Sequence, residues 1–259
     1  MRASIARSVL VVFLPFAAGY TLSYVFRTIN AVLAPHLVLE IGLSAADLGL
    51  ITAAYFLAFA AFQVPLGLLL DRFNPSRVQG VLLLSAGLGA LVFANGQAPE
   101  TLIIGRAMIG LGVAGGLMAS LKAIVLWFPR QRLPLFNGLF LAFGGVGAMA
   151  ATVPVELALG VTDWPGVYGA LGLATFVAAA LVFFVVPTRP GVAPSGGLVK
   201  QFRDLGRVYR DRLFWRLAPL CVVTPATTMA IQGLWAGPWL RDVAGHDRAA
   251  VANHLFIMA

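Results

Sequence analysis

Apolar residues fall along this chain in long unbroken runs, each closed by a short polar break. The runs are Ser8–Ala34, Asp47–Leu70, Val78–Ala94, Glu100–Trp127, Leu133–Leu159, Gly166–Val186 and Leu217–Trp239. An eighth begins near Ala249, and the chain stops at Ala259 before that run could cross a bilayer. A helix needs about 20 apolar residues to traverse the roughly 30 Å hydrocarbon core. Barrel strands would alternate apolar and polar positions, whereas these runs are continuous. The pattern therefore predicts an all-α integral membrane protein with the lipid bilayer as its solvent.

The breaks differ in charge from one side to the other. Arg2 and Arg7 precede the first run, Arg72 and Arg77 join the second to the third, and Arg130 and Arg132 join the fourth to the fifth. Arg189, Lys200, Arg203, Arg207, Arg210 and Arg212 follow the sixth. The opposite breaks carry His36, Glu40 and Asp163, and no Lys or Arg until Arg241. Basic loops stay on the cytoplasmic side, which places the N-terminus and the 187–212 segment there. Arg2, Arg7 and the run from Val9 resemble a signal peptide, but the apolar character continues to about Ala34 and further runs follow, so an uncleaved first span is expected.

The 187–212 segment is the longest connection. Pro187, Pro190 and Pro194 open it, and Leu198, Phe202, Leu205 and Val208 then share a helical face opposite Lys200, Arg203, Arg207 and Arg210. Such a face suits an interfacial helix on anionic lipid. The expected organisation is a six-helix bundle over 1–188, a basic inter-bundle loop over 189–212, and the start of a second bundle over 213–259. The second bundle is truncated, so the chain as written is expected to be a fragment.

Composition changes the picture in one respect. Hydrophobic residues make up 60%, charged residues 11%, and mean hydropathy is +0.90. Soluble domains carry about 25% charged residues. The net charge of +8 and pI near 10.6 would suit a nucleic-acid binder, but the arginines sit in short breaks without a basic, aromatic-interleaved face. No nucleic-acid partner is expected. One cysteine, Cys221, excludes an intrachain disulfide and a thiolate metal site. The histidines, His36, His246 and His254, are scattered, and no His-Glu-x-x-His or Gly-x-Ser-x-Gly arrangement occurs. No enzyme, metal or cofactor is expected.

Two short motifs stand in the right breaks. After the second run comes Gly67-Leu-Leu-Leu-Asp71-Arg72-Phe-Asn74-Pro75-Ser76-Arg77. It resembles the signature Gly-x-x-x-Asp-Arg-x-Gly-x-Arg-Arg between helices two and three of major facilitator transporters. Gly67 would allow close helix approach, and Asp71 would cap a neighbouring helix or pair with an arginine to hold a gate. Asn74 replaces the glycine of the motif through its tolerance of the left-handed region, and Ser76 replaces a basic residue. The fourth run carries Leu102, Arg106, Ile109, Gly110 and Gly112, similar to the family's Leu-x-x-x-Arg-x-x-Gln-Gly-x-Gly, with Ile109 in place of Gln. The fifth run lacks the Gly-Pro pair of many drug–proton antiporters. The resemblance implies six-helix halves, each an inverted pair of three-helix repeats, with substrate between the halves at the bilayer midplane.

The first run supplies the candidate substrate residues. Tyr20, Tyr24, Arg27 and Asn30 recur at helical spacing. An arginine within a span can grip a carboxylate or phosphate through two parallel bonds; its alternative is to brace helices or reach the outer interface. The run Tyr24-Val-Phe-Arg27-Thr-Ile-Asn30, with Asp71-Arg72-Phe-Asn74-Pro75, resembles the organophosphate:phosphate antiporters and related anion symporters. In those proteins a first-helix arginine meets the anion, which implies that role for Arg27. Their second arginine, in helix seven, has no counterpart here; that region offers Gln232 and Trp235, which favours a singly charged organic anion. Glu156 in the fifth run can pair with Arg106 or accept a coupling proton. The expected function is secondary active transport of a small organic anion by a monomer, coupled to protons or another ion across the plasma (inner) membrane. An anion-binding membrane sensor on the same scaffold is the alternative.

Overall fold

The computed structural model describes residues 2–188, 203, 206–231 and 235–258. In chain order its helices are α1 (Ile5–Thr28), α2 (Asn30–Ile41), α3 (Ala45–Arg72), α4 (Pro75–Ala94), α5 (Pro99–Trp127), α6 (Arg130–Leu159), α7 (Trp164–Val185), α8 (Arg212–Ala230), α9 (Ala236–Asp242) and α10 (Arg248–Met258). No strand occurs among the described residues. Six helices, α1 and α3 to α7, are long and apolar enough to cross a membrane. The first expected run ended at Ala34, but the helix resumes as α2 and continues through Pro35 to Ile41. Gly42 stops it in the left-handed conformation, at φ 78°. The expected seventh run is shared between α8 and α9, with 232–234 outside the described residues. Pro190, Pro194 and the face bearing Leu198, Phe202 and Leu205 also lie outside them.

The helix ends are written into the sequence. Ser44 accepts from the backbone N–H of Asp47 while the Asp47 carboxylate accepts from that of Ser44, a capping box that starts α3. Asp163 accepts from Gly166 N–H at 2.8 Å ahead of α7. Asn74 caps α4, its Oδ1 accepting from Ser76 N–H at 3.1 Å and from the Ser76 hydroxyl at 2.8 Å, with Pro75 in the first helical position. Asn74 is extended here, at φ −64° and ψ 133°, so a left-handed glycine substitute is the wrong account of it. Replacing Asn74 with Ala should cost about 1 kcal/mol, read as a lower unfolding temperature of the purified protein, with Asn74→Asp near wild type.

Four of the long helices are interrupted, and each interruption has a cause. Pro65 in α3 cannot donate to the Ala61 carbonyl, and the helix breaks at Phe62. Pro154 in α6 likewise leaves the Ala150 carbonyl, and the ladder breaks at Ala151–Thr152. Between α1 and α2, at Ile29, the guanidinium of Arg106 inserts and donates to the Phe26 carbonyl at 2.6 Å. In α5, at Ala114–Gly115, the Gln63 amide donates to the Ala114 carbonyl at 3.3 Å. By contrast α4 runs unbroken, and α7 runs as α-helix to Ala180 before a π turn.

Helix α4 packs on both α5 and α7, α3 packs on α5, and α1 packs on α6. Grouped as α1, α3, α4 and then α5, α6, α7, the pairs α3·α5 and α1·α6 exchange with one another, as two inverted three-helix repeats require. Lipid gives no hydrophobic drive between helices, so close contact does the joining. Glycines provide it. A Cβ on Gly89 would lie 2.7 Å from the Gly105 carbonyl oxygen, and one on Gly105 2.9 Å from that of Gly89. Two apolar clusters fill the bundle, one around Phe26, Ile29, Phe93, Ile109 and Trp164, the other around Phe13, Phe16, Leu83, Phe128 and Phe140. The outer faces are left apolar and bare, most of all on α3, where 17% of the spanning window is buried.

Candidate functional site

Where the ladder of the first span breaks, it leaves Arg27 partly buried on the last turn of α1. Its guanidinium lies over the Tyr24 ring at 4.7 Å and near the Phe59 ring of α3 at 5.3 Å. The hydroxyl of Tyr55 lies beside it and donates onward to the Ser23 carbonyl at 3.4 Å. The Arg27 Nε is buried with no hydrogen-bond partner, and no carboxylate pairs with this guanidinium among the described residues. A cation held between aromatic faces, with donor capacity unused, is a receptive arrangement for an anion.

The neighbouring candidates are placed as follows. Tyr20 is buried, stacked on Phe140 at 4.5 Å, with its hydroxyl 3.4 Å from that of Tyr24. Asn30, on the first turn of α2, donates to the Thr52 hydroxyl at 3.3 Å and keeps a buried Oδ1 without a partner. Tyr20, Tyr24 and Arg27 thus adjoin in turn along α1, while Asn30 is turned to α3. Trp235 does not join them; it lies on an open apolar groove with Trp239, Leu240 and Met258. Gln232 lies outside the described residues. Sequence reading missed Tyr55, Phe59 and Thr52 on α3. Their signal was available: hydroxyl and aromatic side chains at three- and four-residue spacing inside an otherwise aliphatic run.

Arg106 is the largest fully buried side chain, at 1% exposure. Tyr55, Phe93 and Tyr168 surround its guanidinium at 5.4 to 5.7 Å. Among the described residues its one hydrogen bond is the one to Phe26, while Nε and Nη2 have none. The pair expected as one option between Arg106 and Glu156 is not formed. Glu156 instead lines a cavity of about 30 Å³ with Ala31 and Pro35 of α2, Gly237 and Arg241 of α9, and Arg248 of α10. The reason is geometric: the break at Ala151–Thr152 turns the last segment of α6 towards α10 and away from α5.

The motif after α3 is exposed at its charged positions, Asp71, Arg72 and Arg77, and Asp71 makes no ion pair or helix cap among the described residues. The cap belongs to Asn74. Among the described residues, a Cβ on Gly67 would meet nothing within 4 Å. Its face of α3 is a bare one. The close glycines belong to the second motif: a Cβ on Gly110 would run into the Tyr55 carbonyl oxygen, and one on Gly112 into the Ala86 backbone nitrogen. Arg77 borders an apolar groove with Phe62, Leu69 and Phe73. The Lys122 ammonium donates to the Leu70 carbonyl at the end of α3, where the helix dipole favours a cation.

The family profile described as Major Facilitator Superfamily matches residues 16–259. The chain is 27% identical over 248 residues to the probable sulfoacetate transporter of Cupriavidus necator, covering 90% of this chain and 57% of that protein. It is 26% identical over 232 residues to the hexuronate transporter of Escherichia coli (strain K12), covering 80% of this chain and 52% of that one. The chain therefore spans about half the length of these curated relatives. Among solved structures, a bacterial homolog of the human lysosomal transporter Spinster, inward-facing and unoccupied, superposes with a TM-score of 0.72 at 20% identity, over 96% of this chain and 58% of that one. At that identity the likeness speaks for the fold. With six apolar helices in such a fold, the chain is a multi-pass membrane protein.

Proposed function

This chain belongs to the Major Facilitator Superfamily, and from that premise we propose that its protein is a secondary active transporter of a small organic anion, working by alternating access. The observation that carries the proposal is Arg27: a guanidinium inside the bundle, walled by Tyr24 and Phe59, with a buried Nε left unpaired. Leaving a buried donor of a charged group unsatisfied is expensive. An arriving carboxylate or sulfonate would neutralise the charge and complete the bonding. The Tyr24 hydroxyl, which accepts from Tyr20, would supply a neutral donor beside it. The relatives point the same way, since sulfoacetate and hexuronate are both anions.

In this reading the arginine-bearing loops and the N-terminus face the cytoplasm of a cell whose plasma membrane holds the protein. Residues 1–188 form one half of the transport path, and 213–259 begin the other. The test is uptake of labelled organic anions by proteoliposomes containing the complete protein, with and without an inward proton gradient. Saturable uptake of an anion is the expected result. Uptake of neutral solutes alone would overturn the anion assignment, and anion binding without uptake would mark the protein as a sensor.

A further inference from the structure

The start of α8 carries a feature that substrate transport does not use. Asp211 caps α8, accepting from Leu213 N–H at 2.8 Å, and makes a tight turn out of the preceding helical residues 206–210. Across that turn Tyr209 meets Phe214 at 5.3 Å and Trp215 at 6.4 Å, while Phe214 and Trp215 meet edge to face at 5.4 Å. The indole N–H of Trp215 donates to the Tyr209 carbonyl at 2.8 Å, which fastens the three rings into one knot. Among the described residues the knot is open to its surroundings, with Trp215 59% and Tyr209 48% exposed. Arg210, Arg212 and Arg216 stand around it, all exposed, with Asp211 as the acidic residue among them.

We propose that this aromatic knot with Arg210, Arg212 and Arg216 is a docking surface for anionic phospholipid headgroups. Neither simple alternative environment suits it. Water is poor for three clustered rings, and hydrocarbon is poor for three guanidiniums. The headgroup layer accommodates both, because tyrosine and tryptophan settle at that depth and arginine meets phosphate there through paired bonds. The excess of positive charge selects anionic over zwitterionic lipid. The inference rests on the chain being a membrane protein and not on Arg27 as the anion anchor. The two fail separately, because one is read from bound lipid and the other from uptake.

The experiment uses the complete protein in nanodiscs of phosphatidylcholine with phosphatidylglycerol, extracted with mild detergent. Retained phospholipid is then counted by native mass spectrometry. Wild type should retain phosphatidylglycerol in preference to phosphatidylcholine, and Arg210→Ala with Arg212→Ala and Arg216→Ala should reduce that preference on the order of tenfold or more. An unchanged preference in the triple variant overturns the proposal. A second measurement guards against a variant that folds poorly. Trp215 is kept as the single tryptophan, every other one in the complete protein being replaced by Phe, and its fluorescence is quenched with brominated lipids. Stronger quenching by brominated phosphatidylglycerol than by brominated phosphatidylcholine supports the surface. Equal quenching, or none because an acidic protein segment covers the knot, overturns it.

Discussion

Replacing Arg27 with Ala should lower anion uptake by about 100-fold, and Arg27→Lys should restore only a minor part. Truncating one partner of a buried, hydrogen-bonded charge pair costs about 2–5 kcal/mol, and each 1.4 kcal/mol is a factor of ten. The lower half of that range gives the figure. Lysine keeps the charge but offers a compact ammonium in place of a planar fork. It would also lose the flat stacking on Tyr24 and Phe59 that holds the guanidinium. Initial rates over a range of anion concentration check this, in proteoliposomes matched for protein content. An effect confined to KM would mean that Arg27 holds substrate and transition state alike, and a loss in maximal rate would mean that it also assists the conformational step. Unchanged uptake in Arg27→Ala would remove Arg27 as the anchor.

The second large effect is structural. Gly110→Ala should fail to give a stably folded protein, because the new methyl would collide with the Tyr55 carbonyl oxygen. The obstacle is backbone, so no side-chain rotation relieves it. Helices α3 and α5 must separate, and overpacking of this kind costs about 1–3 kcal/mol or more. Separation would also disturb the Tyr55 hydroxyl beside Arg27 and the ring it presents to Arg106. Gly67→Ala is the matching control. Nothing lies within 4 Å of its Cβ, and removing a glycine from a helix interior gains roughly 0.5–1 kcal/mol. Size-exclusion profiles and melting curves in detergent should therefore place the two variants on opposite sides of wild type. A folded Gly110→Ala protein with wild-type stability would show that the α3–α5 contact is looser than described.

Hydropathy and charge made the helices legible because each is a property of a local stretch. Six of the seven expected runs reappear as spans, with ends that shift by a few residues towards caps such as Ser44 and Asn74. The first run shows where a local reading stops. Its apolar stretch to Ala34 is continuous in sequence, yet the backbone breaks at Ile29 because Arg106, 80 residues downstream, donates to Phe26. The same limit applies to the site. Tyr24, Arg27 and Asn30 could be gathered from spacing on one helix. Their neighbours Tyr55, Phe59 and Thr52 come from α3 and required the packing of one helix on another. Gly67 and Gly110 were indistinguishable as letters in two motifs. Only the distance to the facing backbone separates a glycine that must be glycine from one that need not be.

The four interruptions are distributed in a way that bears on motion. They fall in the first two helices of each group of three, while the third keeps its α-ladder throughout in α4 and as far as Ala180 in α7. Such a bundle has a stiff spine and four jointed staves. A joint costs little to flex, since its backbone bonds are already exchanged for a proline or a borrowed side chain. Bending can thus be absorbed within single helices without the spine coming apart, so that one end of the half could widen while its glycine-packed middle stays closed.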